Sequence, residues 1–470
     1  MTNPQDIERD YSAGHGTEAV LFGVVQHGEQ RTAAEALHEL QLLASTADYV
    51  VAGCMVQHRR HPDPHTYLGA GKLAELAEVV KLARSGAVIC DDSLTPNQAR
   101  HVETAVGVPV LDRSELILQI FSMHARTPQA RLQVELAALQ YEMPRLRRKW
   151  THLERQRGGI GVRGGAGEKQ IDVDRHMLRQ RISAVARELK GIEQHKIREV
   201  AARPELFTVA LVGYTNAGKS SLMNRLCDAG VLAENKLFST LDTRTRPWRL
   251  PGGRTILLTD TVGFIKKLPH ELVASFHATL EEALAADLLL VLIDGSSPEA
   301  AEQLATVNEV LESLHAADLA RITVINKLDL VADRGSLAEL WQSDQRAVAI
   351  SALTGEGLEE LFSSIQSQVA QVENRCSLLV PHTAGALLSH IRAKATVLSE
   401  FYTQQGCLVE VQVSPALLGR LLSEGARYAE PTDLPADAPV QLVAVDDDDD
   451  DIDEAPATTR DADDLDPPPA

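Results

Sequence analysis

FTVALVGYTNAGKSSLMNRL, residues 207–226, leaves folding less choice than any other stretch of this chain. An unbroken apolar run, a glycine-bearing turn and a helix-forming run read as strand, tight loop and helix. A strand without polar alternation is buried on both faces, so it belongs inside a parallel sheet flanked by helices. Similar runs recur at RTILLTD (254–260), DLLLVLID (287–294), RITVINK (321–327) and AVAIS (347–351). Helices fall between them, which predicts a doubly wound, mostly parallel α/β domain over residues 205–370. Only 4% of the residues are aromatic while 44% are hydrophobic, so the cores must rest on aliphatic side chains, as such a sheet requires.

GYTNAGKS (213–220) fits G-x-x-x-x-G-K-[ST] in the strand–loop–helix setting that makes the motif credible. Gly213 and Gly218 let the loop Gly213, Tyr214, Thr215, Asn216, Ala217, Gly218 curl so that its N–H groups face phosphate oxygens. Lys219 can reach the β- and γ-phosphates, and the Ser220 hydroxyl can ligate Mg²⁺. The base is chosen by NKLD (326–329). A carboxylate at Asp329 can accept hydrogen bonds from guanine N1–H and N2, which adenine does not offer. Leaving it desolvated and unpaired is worth roughly a thousandfold in discrimination. Asn326 can bond the base, the stem of Lys327 can cover its face, and Leu328 lies between them and Asp329. SAL follows the next strand as Ser351, Ala352 and Leu353, where the Ala352 N–H can meet guanine O6.

DTVGF (260–264) ends another strand. Asp260 can hold Mg²⁺ through water, Thr261 and Val262 continue the turn, and the Gly263 N–H can sense the γ-phosphate. Between these motifs lies KLFSTLDTRTR (236–246), polar and threonine-rich, as a switch segment should be. Within Phe238, Ser239, Thr240, Leu241 and Asp242, Thr240 is the expected second Mg²⁺ hydroxyl, with Thr243 and Thr245 as competitors. Lys219, Thr240 and Gly263 are the residues expected to carry hydrolysis. Phe264 stands where small GTPases often place a glutamine that orients the attacking water, and an aromatic ring cannot do that. Turnover should then be slow until a partner or a rearranged loop supplies the polar group. Asn216 reads either as a helper of K⁺ beside the phosphates or as a plain turn-forming residue.

The rest of the chain divides by pattern. Residues 1–17 are polar and read as disordered. Residues 18–112 alternate strands (19–25, 49–57, 87–92, 108–112) with helices (32–46, 71–84, 95–106), a small α/β domain in which Thr95 and Pro96 mark a helix start. GAGK (69–72) opens a helix without the longer phosphate-loop spacing. His58, His61 and His65 lie in a proline-bearing stretch that reads as an exposed loop rather than a metal site. Residues 113–204 are helix-rich, with helices expected at 114–141, 145–157 and 171–203 and a glycine-rich loop at 158–170. They predict a hairpin with that loop at its tip. Residues 126–200 hold seventeen Lys and Arg against nine acids, while 446–470 hold twelve acids and one Arg. The chain's net charge of −20 therefore hides a basic middle, suited to an anionic partner such as RNA. Residues 371–445 read as a small α+β domain with strands at 377–381 and 407–413 and helices at 383–397 and 415–424. Residues 446–470 read as a disordered acidic tail. Five scattered cysteines, no leader-like N-terminus and no long apolar run suggest a reduced, cytoplasmic setting.

Several segments outside the nucleotide motifs resemble the HflX GTPases of the Obg-HflX group. They are YLGAGKLAEL (67–76), DDSLTPNQAR (91–100), LDRSELILQIF (111–121), ARTPQARLQVELAALQYEMPRL (125–146) and RQRGGIGVRGGAGEKQIDVDRH (155–176). The resemblance implies an N-terminal α/β domain, a helical hairpin, the nucleotide domain and a small C-terminal domain. It implies a monomer that binds the large ribosomal subunit and its RNA, exchanges GTP and GDP with Mg²⁺, is stimulated there, and splits or rescues stalled ribosomes. Peripheral recruitment to membranes is left open. Two departures stand out: RGGAGEKQ (163–170) replaces the family's R-G-P-G-E-T-Q, and TLDTRT lacks the proline of T-L-D-P-T. Two other readings remain, a tRNA-modification GTPase and an RNA remodeller driven by a nucleotide-dependent N-terminal domain.

Overall fold

In the computed structural model, residues 14–26, 33–146, 166–201, 206–227, 237–238, 240–251, 254–267, 286–316, 319–344, 346–372 and 374–430 are described. The chain divides into two compact units, Met1–Gln371 and Val372–Ala470. Residues 1–13, 147–157, the glycine loop at 158–165 and the expected acidic tail lie outside the described residues. Of the N-terminus expected to be disordered, residues 14–17 are instead tied down, the Gly14 N–H donating to the Ala47 carbonyl and the Gly16 N–H to the Asp48 carbonyl, each at 2.8 Å.

The first unit holds two sheets. In the N-terminal one, β1 (Glu18–Gln26), β2 (Val50–Arg59), β3 (Ala87–Cys90) and β4 (Val110–Leu111) run parallel in the order β2-β1-β3-β4. Val20, Phe22, Val88 and Cys90 face the helices Ala70–Leu82 and Pro96–Val106, while Ala19, Leu21, Ala87 and Ile89 face the opposite way. Period-two alternation puts an apolar set on each face, so both must be covered. The helix at Pro96 starts as expected: Thr95 accepts from the Gln98 N–H, the Gln98 side chain answers it, and Pro96 fills the first turn.

The second sheet contains β5 (Thr208–Gly213), β6 (Arg244–Arg249), β7 (Thr255–Asp260), β8 (Leu288–Asp294), β9 (Arg321–Asn326) and β10 (Val348–Ala349), ordered β10-β9-β8-β5-β7-β6. All pairings are parallel except β6 on β7. β6 falls partly inside the stretch expected to be a switch loop. Its residues RTRPWR form an edge strand, where a proline costs no ladder bond. One apolar core runs from Leu21 and Ile89, through the buried side of helix Arg113–His124, to β5 and β8. Phe121 and Phe238 meet edge to face within it, ring centroids 4.8 Å apart.

The helical middle also departs from expectation. The run 114–141 breaks into helices Arg113–His124 and Pro128–Glu142, because Thr127 caps the second and Pro128 occupies its first turn. Helix Ala166–Ala201 begins five residues before the expected 171. Ala, Glu, Lys and Gln at 166–170 favour helix more than the preceding glycines favour loop. Leu178, Val185 and Leu189 are buried on it, and Arg181 pairs with Glu135 of helix Pro128–Glu142 at 2.5 Å.

The second unit is an antiparallel sheet of β11 (Asn374–Pro381), β12 (Thr396–Tyr402), β13 (Gly406–Val413) and β14 (Arg427–Tyr428), ordered β12-β13-β11-β14. Helices Gly385–Lys394 and Pro415–Ser423 join Cys376, Leu378, Val380, Val409 and Val411 in one core. The expected helix 383–397 stops at Lys394, since the β-branched and aromatic TVLSEFY is better suited to a strand.

Candidate functional site

The loop after β5 is held by packing rather than by long side chains. Gly218 has φ +95°, and a Cβ there would lie 2.2 Å from Asn326 Nδ2. Only glycine lets the loop pass that amide. Asn216 takes the left-handed conformation at φ 60°, as a turn-forming asparagine does. Lys219 is buried, its ammonium donating to the Gly213 carbonyl at 3.2 Å and the Tyr214 carbonyl at 3.0 Å. Burial pushes its pKa down to about 8, with the Asp260 carboxylate opposing the shift.

Ser220, Thr240 and Asp260 converge. The Ser220 hydroxyl lies 2.7 Å from that of Thr240 and donates to Asp260 Oδ2 at 2.7 Å, and Thr240 donates to the same oxygen at 3.1 Å. Asp260 is fully buried, and its Oδ1 has no hydrogen-bond partner. Burial raises the carboxyl's pKa, only partly offset by Lys219. A buried oxygen with an open lone pair beside two hydroxyls is the donor set a hard cation requires, so these residues fit Mg²⁺. The competitors sit elsewhere: Thr245 is on β6, its hydroxyl 3.0 Å from that of Thr259, and Thr243 borders a separate cavity with Thr127 and Leu241.

The two expected switches close on the loop. Phe238, at φ 56°, donates its N–H to Thr215 Oγ1 at 2.9 Å, and Leu241 is buried. Asp242 accepts from the Thr127 N–H at 3.3 Å. Ser239 lies outside the described residues. On the other side, the Phe264 N–H donates to the Gly213 carbonyl at 3.0 Å, and the Thr215 N–H to the Phe264 carbonyl at 2.7 Å. Thr261 donates to the Leu211 carbonyl at 2.7 Å, and Val262 is buried.

At the base end the Asn326 amide is spent on two backbone groups. Nδ2 donates to the Ala217 carbonyl at 2.8 Å, and Oδ1 accepts the Ala352 N–H at 2.9 Å. Asn326 thus ties the phosphate loop to the SAL turn instead of pointing freely at a base, and the Ala352 N–H is engaged by it. Asp329 Oδ1 accepts from the Ser351 hydroxyl at 2.6 Å. Lys327, at φ 64°, pairs with Asp294 at 2.6 Å, the Leu328 N–H bonds the Ile350 carbonyl at 3.0 Å, and Leu353 is exposed. Sequence reasoning missed Asp294, which sits at the end of β8 with no motif to mark it.

Three family models tile most of the chain. GTP-binding GTPase N-terminal matches residues 34–122, GTP-binding GTPase Middle Region 124–203, and 50S ribosome-binding GTPase 208–327. The GTPase HflX of Magnetococcus marinus is 43% identical over 413 residues, 87% of this chain and 95% of that protein. The chain belongs to the HflX family of GTPases. The GTPase HflX of Escherichia coli K12 is 38% identical over 401 residues, covering 85% of this chain and 93% of its own length. Among solved structures, a GTP-binding protein of Sulfolobus solfataricus in complex with GDP is 26% identical with a TM-score of 0.40, over 76% of this chain and 99% of that one. The fold and the GTP-hydrolysing activity expected from the motifs are those of this family. Among the described residues no group of three or more His, Cys, Asp and Glu could hold a metal, and His58, His61 and His65 are exposed. No helix among them is long and apolar enough to cross a membrane.

Proposed function

We propose that this GTPase works on the large ribosomal subunit, is stimulated there, and takes apart or rescues stalled ribosomes. The observation that carries the ribosome reading is the basic helical middle. Residues 126–200 have seventeen Lys and Arg against nine acids, and Arg179, Arg187 and Lys190 are exposed along the helix that begins at Ala166. Such an arm gains affinity by releasing counterions from RNA phosphates, so its binding should weaken steeply with salt. The family description of residues 208–327 as a 50S ribosome-binding GTPase supports the same partner. A tRNA-modification enzyme is disfavoured, since Cys376 and Cys407, the two cysteines of the second unit, are buried within β11 and β13.

In the mechanism that follows, Asp329 selects guanine and Lys219 faces the β- and γ-phosphates. Gly263 offers its N–H to the terminal phosphate. Ser220 and Thr240, with Asp260 behind them, would hold Mg²⁺, which when bound supplies charge neutralisation between the phosphate oxygens. The Phe264 side chain is buried and apolar, so it cannot orient water, and the partner must complete the site. The test is GTP turnover by the purified chain with and without large subunits. Acceleration that fades with added salt is expected, and turnover indifferent to subunits at every salt concentration would sink the reading.

A further inference from the structure

Tyr214 is the second residue of the phosphate loop, and its backbone does what that position requires. Its side chain does something else. The hydroxyl donates to the carboxylate of Glu39, in helix His38–Thr46 of the N-terminal domain, and accepts the Lys266 N–H at 2.9 Å. Glu39 also pairs with Arg113, which is only 2% exposed. The same guanidinium donates to Asp91 Oδ1 at 2.8 Å. Asp91 and Asp92, just past β3, both pair with Lys267, at 2.7 and 2.6 Å. The bonds therefore form a closed ring: Tyr214, Glu39, Arg113, Asp91, Lys267, and back through Lys266 to Tyr214. Two of its members lie two and three residues beyond Phe264, whose backbone is paired with Gly213 and Thr215. The ring residues line a cavity of about 1100 Å³ that also touches Asn216 of the phosphate loop.

We propose that Glu39 and Arg113 are positioning residues for GTP hydrolysis, holding the second switch against the phosphate loop through Tyr214 and Lys267. The inference rests on the nucleotide reading above and deepens it. With a phenylalanine at 264, the reaction depends on the backbone of residues 263–264 standing in the right place, and that placement is what the ring fixes. A hydroxyl, two carboxylates and a lysine reach across the domain boundary to do so. Loosening it lets the switch drift from the loop without touching the groups that grip the diphosphate.

The test uses the full chain with Mg²⁺, reading kcat and KM for GTP and the affinity for GDP. Tyr214→Phe and Glu39→Gln keep shape and volume. Each should lower kcat by about tenfold while GDP affinity stays within about twofold, and the double variant should be no slower than the worse single one. Lys267→Met should show the same loss, and Lys267→Arg should restore most of it. Unchanged kcat in both single variants, losses that multiply in the double one, or GDP affinity falling in step with kcat would overturn the proposal. A wild-type chain that turns over no GTP would instead be the failure of the nucleotide reading, seen before any variant is made.

Discussion

The base end and the phosphate end of this site are built from different materials. The base end stands on the ends of β9 and β10. Asn326 is 2% exposed and bonded on both sides, Asp329 is fixed by Ser351, and Leu328 is tied to Ile350. Nothing in it comes from either switch. At the phosphate end, Lys219 and Ser220 are equally rigid, but Thr240 and Gly263 belong to segments joined to the loop by a few hydrogen bonds. On the reading proposed above, guanine selection is therefore set before a nucleotide arrives, while phosphate sensing is set by contacts that can be exchanged. Specificity and switching should then be separable by mutation.

The largest effect belongs to the base end. Asp329→Asn should cost GTP roughly a thousandfold in affinity and move preference towards xanthine nucleotides, because the new Nδ2 group opposes the guanine 2-amino group but can donate to the 2-oxo group of xanthine. Competition binding with GTP, XTP and ATP measures it. An unchanged GTP preference would break the contrast at once.

Next in size is Gly263→Ala. A Cβ at 263 would lie 2.7 Å from Thr215 Cα and 2.9 Å from Lys219 Nζ, so the second switch must back away from the loop. The expected loss is about a hundredfold in kcat, in the range of a lost transition-state donor. GDP affinity should stay within a few-fold, measured by displacement of a fluorescent analogue. If GDP affinity fell as far as kcat, the phosphate end would be one rigid body and the distinction would fail.

What could be read from the sequence follows the same division. The phosphate loop, NKLD, DTVGF and SAL were legible because each is a short run whose chemistry is complete within a few residues. Thr240 was legible only as the favoured one of three threonines; its distance to Ser220 depends on a loop that spacing does not describe. The ring through Tyr214 was invisible, since Glu39 lies 175 residues from its partner and nothing local marks either as a pair. β6 and β12 were missed for a plainer reason. RTRPWR is polar with a proline, and TVLSEFY follows a helix closely enough to be absorbed into it. In the helical middle, the break at Thr127-Pro128 was written in the sequence as a cap signal but overridden by the helix formers around it.

A smaller effect comes from pH. Without nucleotide, burial holds the Lys219 pKa at about 8, below the 10.5 usual for a lysine. A bound diphosphate restores the charge, so binding takes up a proton above pH 8. GDP affinity should be flat below pH 8 and weaken by up to about tenfold per unit above it. Between 8 and 10.5 the unfolded chain holds more protons than the empty folded one, so stability of the empty chain should rise with pH there, with this lysine's contribution of that sign. The ratio of GTP to ATP affinity should not change between pH 7 and 9, because the base end does not share the lysine. Calorimetry over that range sharpens the comparison, and a ratio that tracked the affinity would blur it.

The smallest effect tests whether both ends are governed locally. Removing residues 446–470 takes away twelve acids and one arginine, more than half of the chain's excess negative charge. Solvated charges are screened over about 8 Å at physiological ionic strength. GTP and GDP affinities should therefore change by less than about twofold at 0.15 M salt, and by equal factors, since an unspecific field acts on the shared phosphates and not on the base. A loss confined to GTP would mean that the tail acts on the switches. A loss in the preference of GTP over ATP would mean that it reaches the base end, which its distance from Asp329 in sequence gives no reason to expect.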